Sequence, residues 1–147
     1  MSAISARSQI VKRLEDTVPE LGRVQGFVAL EAAFQGEIKH DTAFVYRLAT
    51  DKIDVGHPQQ QIILATFGIA LATKNIKDTG GDESDDINEA LCRAVNESLL
   101  GWIPPGAQFP LQYVKGQPSF ARNLLIWTEI YSLKQIITNL GIQRRPL

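Results

Sequence analysis

The side chains most suited to chemistry are few and scattered. Cys92 is the only cysteine, and His40 and His57 are the only histidines, in a chain of 147 residues. A thiol beside an imidazole would make a nucleophile–base pair. Cys92, however, stands between Asn88 and Asn96 at four-residue spacing, and no nucleophile motif surrounds it. The acid-rich stretch 78–86 raises calcium binding instead. An EF-hand loop needs carboxylates at alternating positions, a glycine at the sixth and a bidentate Glu at the twelfth. Counting from Asp78, the third and fifth positions are Gly80 and Asp82 and the twelfth is Glu89, with no glycine at the sixth. Helix capping fits these acids better. Asp82 or Ser84 can cap a helix whose first turn holds Glu83, Asp85 and Asp86, where the helix dipole favours negative charge. Gly80-Gly81 lacks the lysine and the spacing of a phosphate-binding loop. The residues imply no catalytic group, no metal site and no cofactor.

A different stretch, LLGWIPPG at 99–106, carries structural rather than reactive information. Gly101 stands where a helix end needs a residue of positive φ, and Trp102 is placed to fold back on the last turn. Pro104 and Pro105 forbid further helix, and Pro105-Gly106 suits the central positions of a type II turn. This accounts for everything except the size of Trp102. That residue reads either as part of the reversal or, with Pro104 and Pro105, as an exposed wedge at a subunit interface, where Trp is enriched.

Composition bounds the rest. The length suits one domain with a real core, and 44% hydrophobic with 21% charged residues is ordinary for a soluble protein. A formal net charge of −1 gives no overall field toward nucleic acid or anionic lipid. One cysteine allows no internal disulfide and suits a reducing cytoplasm. The N-terminal stretch lacks a signal-peptide core. The longest apolar run, 62–72, holds 11 residues, against about 20 for a membrane span. The expectation is a soluble protein without a cleaved signal. Charge is unevenly spread: 61–100 carries three cations against seven acids and 101–147 five cations against one, nets of −4 and +4. Such a split lets one copy attract the next, with Asp82, Glu83, Asp85 and Asp86 facing Arg122, Arg144 and Arg145; charges also simply fall where solvent is.

The elements follow from periodicity. Ile10, Leu14 and Val18 recur every four residues and predict a helix over 5–17, ended by Val18-Pro19. A short strand at 23–26 and a brief helix at 27–36 follow. Alternation predicts a strand at 42–48. The strongest strand signal is 59–73, with Ile63, Ala65, Phe67, Ile69 and Leu71 on a bulky core face. Its other face, Ile62, Leu64, Thr66, Gly68 and Ala70, is small enough for close approach. Ile87, Leu91, Val95 and Leu99 predict a long helix. Residues 111–115 and 123–133 predict two strands forming a hairpin across the loop at 116–122. Trp127 and Tyr131 share the core face of the last strand with Leu125 and Leu133. The fold class is α+β: a single domain with a largely antiparallel sheet of four to five strands packed against two main helices. Residues 142–147 read as a candidate flexible tail.

Five stretches, VKRLEDTVPELGRVQG (11–26), TFGIALATKN (66–75), LCRAVNESLLGWIPPG (91–106), PLQYVKGQ (110–117) and NLLIWTEIYSL (123–133), carry a further signal. Together they resemble the tail terminator, or tail-completion, proteins of long-tailed bacteriophages and prophages. The resemblance runs in order through most of the chain and is weakest at 40–61. It concerns fold and interface, since the family has no catalytic signature. It implies a structural virion protein of the tail and neck, assembled in the bacterial host cytoplasm. Such a protein forms a homohexameric ring on the head-proximal end of the tail tube and stops tube growth. Its implied partners are its own copies, the tail tube protein and the head–tail connector or stopper protein, with no membrane and no sequence-specific nucleic acid. A head-completion or connector protein is the near alternative, and a small enzyme using Cys92 the far one.

Overall fold

The stripe of Ile10 and Leu14 becomes the buried side of helix α1 (Ala6–Thr17). Ser5 caps it by accepting from the Ser8 amide at 3.1 Å, and Val18 leaves the helical region at φ −122°. The computed structural model describes residues 5–26, 41–57, 60–73, 82–121 and 124–138. After α1 come β1 (Arg23–Gln25), β2 (Thr42–His57), β3 (Gln60–Ala72), α2 (Asp82–Leu99), β4 (Gln112–Ala121) and β5 (Leu124–Thr138). The five strands form one sheet in the order β1-β2-β3-β5-β4. Only β1 and β2 are parallel; the other pairs are antiparallel. The α+β class and the mostly antiparallel sheet match the pattern in the sequence. The brief helix expected at 27–36 lies outside the described residues, as does the start of the acidic stretch at 78–81.

The sheet is built on β3, which pairs along its length with β2 and β5. Its bulky face, Ala65, Phe67, Ile69 and Leu71, joins Ile10 and Leu14 of α1 with Leu91, Val95 and Leu99 of α2 in one core. α1 lies over β1 and β2, and α2 over β3 and β5. The small face does admit a neighbour. The ring of Tyr46 lies over Gly68, where an added Cβ would stand 2.5–2.8 Å from ring atoms. Phe44, Ile126 and Ile130 are buried as well, at 2%, 1% and 4% exposed, outside the helix-side cluster.

Three strands run further than alternation indicated. β2 continues past Leu48 to His57, and β5 past Leu133 to Thr138. There the sheet outruns its helices: Leu48, Ile53 and Ile137 are exposed, and no core imposes a period of two. The expected loop 116–122 is also corrected. Residues 116–121 belong to β4, with Pro118 opposite Trp127. An edge strand tolerates proline because its missing N–H can face outward, so Gly and Pro mark an edge here instead of a turn.

The Tyr46–Gly68 contact yields a test. Gly68→Ala should lower unfolding free energy by about 1–3 kcal/mol, the usual cost of overpacking. Urea titration of single and double variants should show the loss shrinking when Tyr46→Ala is present.

Candidate functional site

The reversal after α2 is built by the backbone. Gly101 has φ +77°, a conformation that L side chains rarely adopt. The Trp102 amide returns to the Leu99 carbonyl at 3.1 Å. Gly101 donates to Leu111 at 3.0 Å and Leu111 donates to Trp102 at 2.9 Å, which closes the loop. Ala107 donates to Pro104 at 2.9 Å across Pro105-Gly106, and Gly106 has φ +86°, as a type II turn requires.

Side chains of α1 then fasten this loop. Gln9 Nε2 donates to the Pro105 carbonyl at 3.0 Å, and Arg13 Nε donates to the Ser98 carbonyl at 3.1 Å. The Arg13 guanidinium sits 5.3 Å from the centroid of the Trp102 ring, a cation–π distance. Thr17 and Ser98 share a hydrogen bond between hydroxyls at 2.5 Å. Trp102 is half-buried against the core. Pro104 is buried and Pro105 exposed.

The other candidate residues are spread out. Asp85 and Asp86 are exposed on the first turns of α2, and Asp82 and Glu83 begin that helix. Arg122, Arg144 and Arg145 lie outside the described residues. The structure therefore brings Trp102, Pro104 and Pro105 together in one loop, at the opposite end of α2 from the acids.

A polar cluster that the sequence reading overlooked lies beneath the flank of α2. Glu129 faces the helices from the middle of β5 and is 2% exposed. Trp127 Nε1 donates to Glu129 Oε1 at 2.5 Å, while Glu129 Oε2 is buried without a hydrogen-bond partner. Tyr131 donates to Asn96 Oδ1, and the Tyr113 ring meets that of Tyr131 edge-on, 5.5 Å between centroids. Asn88 donates to the Leu71 carbonyl at 3.2 Å and to Thr73 Oγ1 at 2.7 Å. Its own Oδ1 faces Cys92 Sγ at 3.6 Å. Gly116 leaves the room for this cluster, since an added Cβ would stand 2.6–2.8 Å from Trp127, Glu129 and Tyr113. The signal was present: period two places Glu129 on the same face as Trp127 and Tyr131.

Burial pushes the Cys92 thiol up to about 12, and the nearby Glu129 and Glu89 carboxylates act in the same direction. Burial, then Glu129, raises Tyr113 to about 12 as well, and the same causes raise Tyr131. Near neutral pH these groups are protonated. A nucleophilic cysteine needs its thiolate, and burial beside Glu129 keeps this thiol protonated. His57 pairs with Gln60 at the far tip of the β2–β3 hairpin, and His40 lies outside the described residues. No group of three or more potential metal ligands occurs among the described residues. None of their helices is long and apolar enough to cross a membrane. A groove of about 380 Å³ runs along the outer flank of α2, lined by Glu89, Cys92, Arg93, Asn96, Glu97 and Leu100.

Residues 1–143 match the family model for the phage tail terminator protein, so the chain belongs to that family of structural tail proteins. Among solved structures, a chain of a virion of a native gene transfer agent particle is similar at 13% identity. The match has a TM-score of 0.57 and covers 88% of this chain and 93% of that one. At that identity the likeness shows a shared fold. No curated protein matches the chain.

Two measurements test the site. Because the fold favours neutral Cys92, its stabilising effect is complete below the ordinary thiol pKa of 9.0 and lost as pH rises toward about 12. Urea unfolding at rising pH should show that loss in the wild type and a smaller one in Cys92→Ala. Trp102→Ala should cost the isolated domain about 3 kcal/mol, the lower end for a buried aromatic; an unchanged Tm would assign the ring to an interface instead.

Proposed function

We propose that copies of this chain close into a six-membered ring on the head-proximal end of a finished tail tube. The ring stops further tube subunits from adding and offers the surface on which the head's connector or stopper docks. The family match across residues 1–143 carries this reading. The fold is compatible with it. A ring of more than two copies needs two different surfaces on each subunit, and this sheet ends in two unlike edges, β1 with β2 on one side and β4 on the other. The protonated Cys92 thiol also suits a structural role better than a catalytic one.

Exposed ion pairs contribute about 0–1 kcal/mol each, so apolar burial must supply most of the affinity between subunits. Assembly on the tube end, where neighbours are held at high effective concentration, suits a contact of that kind.

Electron microscopy of particles made without the protein tests the proposal. The expected result is separate heads and tubes, the tubes abnormal or variable in length. Tails of normal length on filled heads would overturn it, and a neck ring with other than six copies of this chain would overturn the stoichiometry.

A further inference from the structure

The face of the sheet turned away from α1 and α2 is buried at one end. Strand pairing sets Ala72 beside Ile126 and Phe44 beside Ala70, with Ile130 across from Gly68. Phe44, Ala70, Ala72, Ile126 and Ile130 are each at most 4% exposed. On a bare sheet face such side chains stand in water. Further along the same face the burial fades: Leu64 is half-buried, and Lys134 opposite it is exposed. Something therefore lies on the rows nearest Thr42, and both described helices are on the other side of the sheet.

The topology names the cover. β1 and β2 are adjacent and parallel, with Arg23 beside Thr42 and Gln25 beside Phe44. A chain leaving the end of β1 must return to the start of β2, which takes a crossover of about a dozen residues or more over one face. Residues 26–41 make that connection. α1 already occupies the helix side of β1 and β2, so the free route runs over the buried face. The segment is chemically suited to it, since Phe27, Leu30 and Phe34 recur at helical spacing. The helix expected at 27–36 would be about 15 Å long, against about 13 Å along β2 from Thr42 to Tyr46. Other stretches outside the described residues fit less well. Residues 74–81 have Ile76 as their one large apolar side chain. Residues 139–147 begin past Thr138, which pairs with Gln60 at the opposite end of β5 from Ile126.

We propose that residues 27–40 cover this face, passing from β1 to β2 on the side of the sheet opposite α1 and α2. Phe27, Leu30 and Phe34 are then set against Phe44, Ala70, Ile126 and Ile130. The burial is internal to one chain, so the cover is not a neighbouring copy. The middle of the sheet is held between two layers, and neither of its faces is open there to a partner. Contacts with other subunits are left to the sheet edges, the strand ends beyond Lys134 and the outer side of the segment. The inference does not rest on the ring reading and holds equally for a free monomer.

Full-length protein in a Cys92→Ala background tests it. Thr128→Cys puts a thiol of similar size in the middle of the face, where it should resist a maleimide under native conditions. Adding Leu30→Asp with Phe34→Asp should speed its labelling by about a hundredfold, as an opening local to this face does, while Leu140→Asp should not. On oxidation at low protein concentration, at least one of Phe27→Cys, Leu30→Cys and Phe34→Cys should bridge to Thr128→Cys within a single chain, read by mass and on a non-reducing gel. Absence of a bridge at all three positions would overturn the assignment. So would unchanged labelling in an aspartate variant that keeps the native far-UV circular dichroism. If the aspartates unfold the domain, the bridges decide alone.

Discussion

The structure depends on the burial of one strand by two helices. β3 presents Ala65, Phe67, Ile69 and Leu71 to α1 and α2, and its backbone is paired on both sides by β2 and β5. A strand so placed satisfies its own hydrogen bonds while its apolar face leaves water, the main favourable contribution to folding. The rest is arranged around it. Gly68 lets Tyr46 lie flat on the opposite face, and the α1–α2 pair is positioned by the same apolar surface.

Polar contacts refine what burial creates. Arg13 reaches a backbone carbonyl at the end of α2 and the ring of Trp102, so one side chain joins α1, α2 and the reversal. Such a guanidinium contributes through its packed stem as well as its charge. On the far flank of α2, Glu129 is buried with one oxygen bonded by Trp127 and the other without a partner. A buried carboxylate in that state is costly, and Gly116 is needed to make room for it. The cluster constrains where β4 can lie against β5.

The helices cover the middle of the sheet and leave its edges and the far ends of β2 and β5 exposed. Buried apolar area is therefore concentrated at the centre of the sheet, and exposed apolar side chains at its margins. The bulges of β2 and β4 fall at such margins, beside the exposed Leu48, Ile53 and Val114, and a bulge at an edge interrupts indiscriminate strand pairing.

Much of this was legible in the sequence because local rules govern it. Ser5 and Val18-Pro19 set the limits of α1. The alternation at 62–71 set the two faces of β3, and LLGWIPPG set the end of α2 with glycines of positive φ. In each case the residue's own conformational preference, or a period matched to a core face, carries the information. The tertiary structure decided the rest. β2 and β5 continue where no core rewards alternation, so in DKIDVGH at 51–57 only Lys52 to Val55 alternate, a run cut short by Gly56. Gly116 and Pro118 lie in a strand because β4 is an edge, a fact of strand order that local sequence does not encode. Glu129 became a buried carboxylate only once α2 closed over β5 and brought Cys92 and Asn96 to that face. Strand order and helix placement join residues far apart in the chain, and those long-range pairings, set by packing rather than by local preference, made the edges and the buried cluster what they are.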